Sequence, residues 1–210
     1  MKIFFLILLQ SLRLSFRKGG GAFGACAFYV IVVTLFTFAM GVEEANKSAT
    51  AIFCVSMLLA VITTLPLLFE RDYEDGILEQ FLLQPILLEV IVLAKICGQW
   101  CSHIIPILLV SPLLAMMQNL SLEQTIYTIF ILSLSSLTIV ALGSIGAALT
   151  IGSRRGGLLQ ALVIMPLYVP VLIFASASGE QGNILFLSGL AFASLPIACY
   201  TCAALIRVGD

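Results

Sequence analysis

Three groups of side chains in this sequence have types and spacings that could do chemistry. The first is Asp72-Tyr73-Glu74-Asp75-Gly76, two aspartates three positions apart with a glycine behind them. Such a pair opens the carboxylate set that holds a divalent metal in intramembrane phosphatidyl transfer. That set requires an Ala-Arg shortly after and two further aspartates downstream. Here Gly76 is followed by Ile77-Leu78-Glu79, and the other aspartate of the chain is Asp210. Hard divalent cations take several oxygen ligands, so the enzyme reading is rejected. The second group is His103, the single histidine, with Gln99 and Trp100 a turn before it. It has the chemistry of a haem or metal ligand, but a lone intramembrane histidine more often hydrogen-bonds across helices, and a structural role is expected. The third is the cysteines, six in all, with Cys97 and Cys101 four apart and Cys199 and Cys202 three apart. All six sit in apolar runs where a thiol behaves as a small hydrophobe, so no metal site and no disulfide framework is expected. No Gly-x-x-x-x-Gly-Lys-Ser/Thr occurs, which excludes a P-loop for ATP on this chain.

The elements that carry these groups must lie in a membrane. The 210 residues are 61% hydrophobic and 10% charged, with a mean hydropathy of +1.15, whereas soluble domains carry about 25% charged residues. The net charge of -1 says nothing about nucleic acid, but no basic patch that could cradle phosphates is present, and no nucleic-acid partner is expected. One all-α integral membrane domain over 1–210 is predicted. Apolar runs near 22–40, 49–69, 89–116, 125–151, 158–177 and 184–206 give six spans, each near the ~20 residues that cross the hydrocarbon. The third and fourth are longer than necessary, so tilt or a break is expected.

Ahead of them, residues 1–18 place Gln10, Arg13 and Arg17 on one helical face and Phe5, Leu9, Leu12 and Phe16 on the other. That pattern predicts a helix lying in the membrane surface, and Gly19-Gly20-Gly21 turns the chain into the bilayer. With the N-terminus cytoplasmic, Lys2, Arg13, Arg17, Lys18, Arg71, Lys95, Arg154, Arg155 and Arg207 fall inside and Lys47 falls outside. The positive-inside rule then puts both termini in the cytoplasm. Lys95 and Glu89 are expected to snorkel back to that surface.

The stretch from Phe69 to Pro85 is the polar exception, with Glu70, Arg71, Asp72, Glu74, Asp75 and Glu79. Ile77, Leu78, Phe81 and Leu82 line one face of a predicted helix. Asp72 or Asp75 is its expected N-cap, and Pro85 its stop. Gly76 serves the bend into the helix or a close approach of backbones. This amphipathic cytoplasmic segment is the expected contact with a soluble partner. In the fifth span, Pro166 and Pro170 flank Tyr168 and predict a kink or break, with a gate as the functional reading. Small residues at Gly143, Gly146, Ala147, Gly156 and Gly157 predict close helix packing.

The residues from Phe69 to Pro85 fit the pattern F..D..DG.LEQ..L.P, and the chain thereby resembles the B-subunit family of the haem exporter of cytochrome c maturation. Lys95, Trp100, Pro106 and Ser111-Pro112-Leu113-Leu114-Ala115 continue the resemblance, as do Gly146 to Gly152, Arg154-Arg155-Gly156-Gly157 and Pro166 to Phe174. Two positions depart from it. Gln99 stands where members often have histidine, and Ser135-Ser136-Leu137 replaces an expected Gly-Thr-Pro that would break span four.

The resemblance implies a membrane permease subunit of an ABC-type complex, built like the six-span ABC-2 exporters with their surface elbow helix. It implies a homodimer and a separate ATPase subunit that binds the ATP. It also implies a haem-handling membrane partner and a periplasmic haem chaperone, with haem as cargo of the complex and no cofactor on this chain. Two modes are compatible with it: movement of haem itself, or ATP-driven release of haem already bound outside. The bacterial inner membrane follows, or the mitochondrial inner membrane for an organellar chain. On this basis Asp72, Asp75, Gly76, Ile77, Leu78, Glu79, Phe81 and Leu82 are the expected ATPase-coupling residues. The alternatives are an ABC-2 permease for a lipid or drug, and a passive scaffold of the haem-handling complex.

Overall fold

The computed structural model describes residues 21–82, 87–152, 156–177 and 181–208. The predicted surface helix at 1–18, Pro85, Arg154 and Arg155 lie outside them. The described residues form helices: α1 Gly21–Met40, α2 Val42–Lys47, α3 Ala49–Ile62, α4 Leu67–Glu74, α5 Ile77–Leu82, α6 Leu88–Met117, α7 Leu122–Leu149, α8 Gly156–Ser176 and α9 Gln181–Val208. In hydrocarbon every backbone N–H and C=O must find its partner within the protein, which leaves the helix as the natural state of long apolar runs. Among the described residues, five stretches are long and apolar enough to cross a membrane: Gly21–Met40, Ala49–Glu74, Leu88–Met117, Leu122–Leu149 and Gly182–Arg207. The fifth expected span falls on α8, whose apolar stretch Leu162–Ser176 is shorter.

Helix α7 is the hub, packing against α3, α4, α6, α8 and α9. Its buried positions are mostly small: Ser135, Ser136, Thr138, Ala141, Gly143, Ser144, Gly146, Ala147 and Ala148. Lipid tails are as apolar as leucine, so no hydrophobic force draws these helices together. Close backbone approach, dispersion and interhelical hydrogen bonds do so instead. Neighbouring helices donate onto α7 along its length. Gln160 Nε2 donates to Gly143 O at 3.0 Å, Tyr168 Oη to Ile139 O at 3.2 Å, and Trp100 Nε1 to Ser136 Oγ at 2.9 Å. Thr50 and Thr128 hydroxyls meet at 3.1 Å. Each such bond is worth only about 0.6 kcal/mol in a membrane, so their number matters more than any one.

Several expectations need correcting. The second span is not straight to 69; it stops at Ile62 and resumes at Leu67, because Pro66 has no N–H to continue the ladder. The described part of the 69–85 segment, up to Leu82, holds two short helices rather than one. Asp72 lies inside α4, and Asp75 caps its C-terminus instead of opening the next helix. Gly76, at φ +66°, makes the turn between them, a conformation that costs glycine little.

Helix α8 runs unbroken through Pro166 and Pro170. Helix α6 likewise continues through Pro106 and Pro112, so its 30 residues hold no break. Helix α7 is continuous through Ser135-Ser136-Leu137, as the absent proline implied. It starts earlier than predicted because Ser121 and Gln124 form a reciprocal cap, with Gln124 N donating to Ser121 Oγ at 3.3 Å and Ser121 N donating to Gln124 Oε1 at 3.0 Å.

Gly143 tests the packing of the hub. A β-carbon there would lie 2.7 Å from Tyr168 Oη and 2.9 Å from Leu65 Cδ2. Overpacking of this kind costs about 1–3 kcal/mol. Gly143→Val is expected to lower the amount of folded chain in membranes and its melting temperature in detergent, while Gly189→Val, with open space around it, leaves both unchanged.

Candidate functional site

The polar segment 67–82 does not hang freely from the bundle. It is pinned to the start of α6 by side chains one helical turn apart, Lys95 and Gln99, both buried. The cause lies in the break at 63–66. Where the helix stops, carbonyls lose their usual donors four residues on, and polar side chains of the facing helix reach the gap. Gln99 Nε2 donates to Thr64 Oγ1 at 3.3 Å and to Thr64 O at 3.5 Å. Lys95 Nζ donates to Leu68 O at 3.4 Å, sits 5.4 Å from the centre of the Phe69 ring and forms an ion pair with Asp72. Lys95 therefore does not snorkel to the surface. It is held by a carboxylate, a carbonyl and an aromatic face, all supplied by α4.

Two further contacts gather at this end of the molecule. Glu89 Oε1 accepts from Arg207 Nη2 at 3.1 Å, tying the start of α6 to the end of α9, so Glu89 too is paired. Tyr73 leans over Gly152, whose φ is +74°; a β-carbon on that glycine would lie 3.2 Å from Tyr73 Oη. The turn after α7 and the tip of α4 thus meet on one face, beside the exposed Glu74 and Asp75.

The expected coupling residues separate on this geometry. Asp72 pairs inward with Lys95, and Leu78 is buried in the same hydrophobic core as Phe69. Ile77 is half-buried, whereas Tyr73, Glu74, Asp75 and Gln80 are exposed. Glu79, Phe81 and Leu82 belong to α5, and their side chains lie outside the described part. In α8, Tyr168 is buried against α7 while Pro166 and Pro170 face outward.

Sequence reasoning missed the clasp formed by Thr64, Phe69, Lys95 and Gln99. The signal available was a lysine inside a predicted span, which demands a partner, opposite a span interrupted by proline. His103 is buried, but its Nδ1 lies 2.8 Å from Ser102 Oγ and 3.2 Å from Gln99 O. Those contacts stay within its own helix, where bonds across helices were expected. The described residues contain no cluster of three or more His, Cys, Asp or Glu side chains suited to a metal.

An all-helical integral membrane protein is thus defined, with a pinned polar surface at one end of its bundle. The chain belongs to the CcmB protein family, whose sequence profile matches residues 2–209. It is 36% identical over 216 residues to "Heme exporter protein B" of Pseudomonas aeruginosa, covering 98% of this chain and 97% of that protein. The protein of the same name from Rhodobacter capsulatus is 35% identical, covering 96% of this chain and 97% of its own length. That of Escherichia coli K12 is 33% identical, with 98% of both chains covered.

The Tyr73–Gly152 contact yields a direct check. Gly152→Val places a branched side chain at positive φ and against the Tyr73 ring, two penalties at one position. Limited proteolysis of the purified chain is expected to cut faster within 67–82 than in the parent, while Gly182→Val, at an open position, leaves the cleavage rate unchanged.

Proposed function

We propose that this chain is the membrane permease subunit of an ABC-type haem exporter that serves c-type cytochrome maturation. The observation that carries the reading is membership of the CcmB family over residues 2–209, beside relatives named Heme exporter protein B. Six spans, with α8 as the fifth in order, an elbow helix at 1–18 and both termini in the cytoplasm complete the proposed topology. The chain works as a homodimer in the bacterial inner membrane, or in the mitochondrial inner membrane for an organellar chain. Haem is the cargo of the complex. It passes through a haem-handling membrane partner to a periplasmic chaperone.

The chain lacks a P-loop, so ATP is hydrolysed by a partner subunit whose motion must be received on the cytoplasmic face. Segment 69–85 is the proposed receiver. The burial of Leu78 and the inward pairing of Asp72 support a division of labour within it. Those two fasten the segment, Gly76 turns it, and Tyr73, Asp75, Glu79, Phe81 and Leu82 meet the ATPase, with Ile77 at the boundary. Helix-in-groove contacts draw their affinity from a few apolar anchors. In α8, Pro166 and Pro170 deprive the carbonyls four residues before them of a donor. With Tyr168 held on Ile139 O, this supports a fixed kink, and a gate is the more specific proposal for the same three residues.

Tyr73→Ala with Phe81→Ala tests the docking. Truncating a buried anchor costs about 2 kcal/mol or more, and at about 1.4 kcal/mol per decade two of them weaken docking by ~10³-fold. The ATPase subunit recovered with the purified permease and the mature cytochrome c in cells are both expected to fall sharply. Full recovery with normal cytochromes would make 69–85 an ordinary surface loop. ATPase-dead partners that leave haem delivery intact would favour the scaffold reading.

A role for His103 as a required haem ligand is not supported by its bonds within its own helix. His103→Ala is expected to retain most mature c-type cytochrome. Complete loss at normal protein level and normal ATPase association would refute that assignment.

A further inference from the structure

We infer that Asp72 and Lys95 are positioning residues through which movement of the ATPase-contacting segment enters the membrane bundle at α6. This rests on the reading of 69–85 as the ATPase contact and goes one step further inward.

Three observations carry it. The first is the interruption between Ile62 and Leu67. A continuous helix would pass a push on α4 straight along its axis into α3. A helix stopped at Thr63–Pro66, with a proline at the rejoining point, transmits bending poorly. The second is what bridges that gap. Lys95 gathers Asp72, Leu68 O and the Phe69 ring, while Gln99, one turn further along the same helix, holds Thr64. The two ends of the break are thus both attached to α6.

The third is the chemistry of the attachment. Lys95 and Asp72 side chains are 9% and 16% exposed. Removing one member of such a pair leaves an uncompensated charge, whereas replacing both by neutral residues of similar volume is often harmless to stability. An ion pair is therefore an uneconomical fastener but a far-reaching one, since its attraction falls off slowly as the groups begin to separate. Next to Gln99, but turned toward another side of α6, Trp100 donates to Ser136 of the hub helix α7. A displacement of α4 thus reaches α6 through the clasp, and α7 both from α6 and by the direct α4–α7 packing.

The test separates fastening from transmission. Asp72→Asn, Lys95→Met, the double variant Asp72→Asn/Lys95→Met and the double variant Asp72→Asn/Lys95→Gln replace the chain in cells lacking the parent gene. Four quantities are measured for each complex: membrane level, ATPase subunit recovered, ATP hydrolysis, and mature cytochrome c per assembled complex. The single variants are expected to lower membrane level, because each keeps one buried charge and removes its partner across the pair.

At least one double variant is expected to restore level and ATPase recovery, because no charge is left unpaired. Mature cytochrome per assembled complex should nevertheless fall at least about fivefold, the lower end of ordinary intersite coupling, with ATP hydrolysis retained. Restored level with full cytochrome output would make the pair a mere staple and overturn the inference, leaving the docking proposal standing. Failure of both double variants to accumulate would likewise overturn it, by making the pair a folding element. Failure of the parent chain to recover any ATPase subunit would instead sink the docking proposal beneath it.

Discussion

In hydrocarbon a leucine gains nothing by leaving lipid for another leucine, so the bundle depends on how closely backbones approach one another. Helix α7 meets that constraint by having little side chain on its buried faces. Gly143 and Gly146 leave no room for a β-carbon beside Tyr168, Leu65, Ile164 and Gln160. The larger neighbours then reach α7's own backbone, as Tyr168 and Gln160 do at Ile139 O and Gly143 O. These acceptors lie one turn apart on α7, matched by donors on the antiparallel α8. Bulk and small size are thus divided between partners, and the hydrogen bonds fix their relative height.

The same requirement for internal satisfaction explains the polar end of the molecule. Pro66 interrupts the second long helix where the chain leaves the apolar core, and the gap is filled by α6 side chains rather than by solvent alone. The opposite end solves its own break differently. Asn46 Nδ2 donates to Gln118 O and Asn119 O, both at 2.9 Å, and Gln118 Nε2 donates to Thr37 Oγ1 at 2.8 Å. There the bridging groups are neutral amides and a hydroxyl, whereas the α4 end uses a full ion pair. Neutral bonds of this kind hold a fixed junction. The charged one lies on the segment proposed to meet a moving partner.

The spans were legible because composition alone sets them: an expected 22–40 became Gly21–Met40, and an expected 89–116 became Leu88–Met117. Boundaries were missed where a local device overrode hydropathy, as with the Ser121–Gln124 cap and the break before Pro66. The acidic segment was legible as an exception to its surroundings, but its internal wiring was not. Helical spacing puts Ile77, Leu78, Phe81 and Leu82 on one face without saying whether that face meets this chain or another. The burial of Leu78 is a tertiary fact. The pairing of Asp72 with Lys95 joins residues from different helices, and no local pattern encodes it.

The bond from Trp100 to Ser136 has a photophysical consequence. This is the chain's single tryptophan, half-buried at the α6–α7 junction with its indole N–H engaged at 2.9 Å. Indole emission depends on the polarity around the ring and on that hydrogen bond. With excitation beyond the absorption of the five tyrosines, the fluorescence of the purified chain therefore comes from one reporter at the interface joining the clasp-bearing helix to the hub. A shift in its wavelength or lifetime reads that junction alone, with no dye attached and no residue replaced.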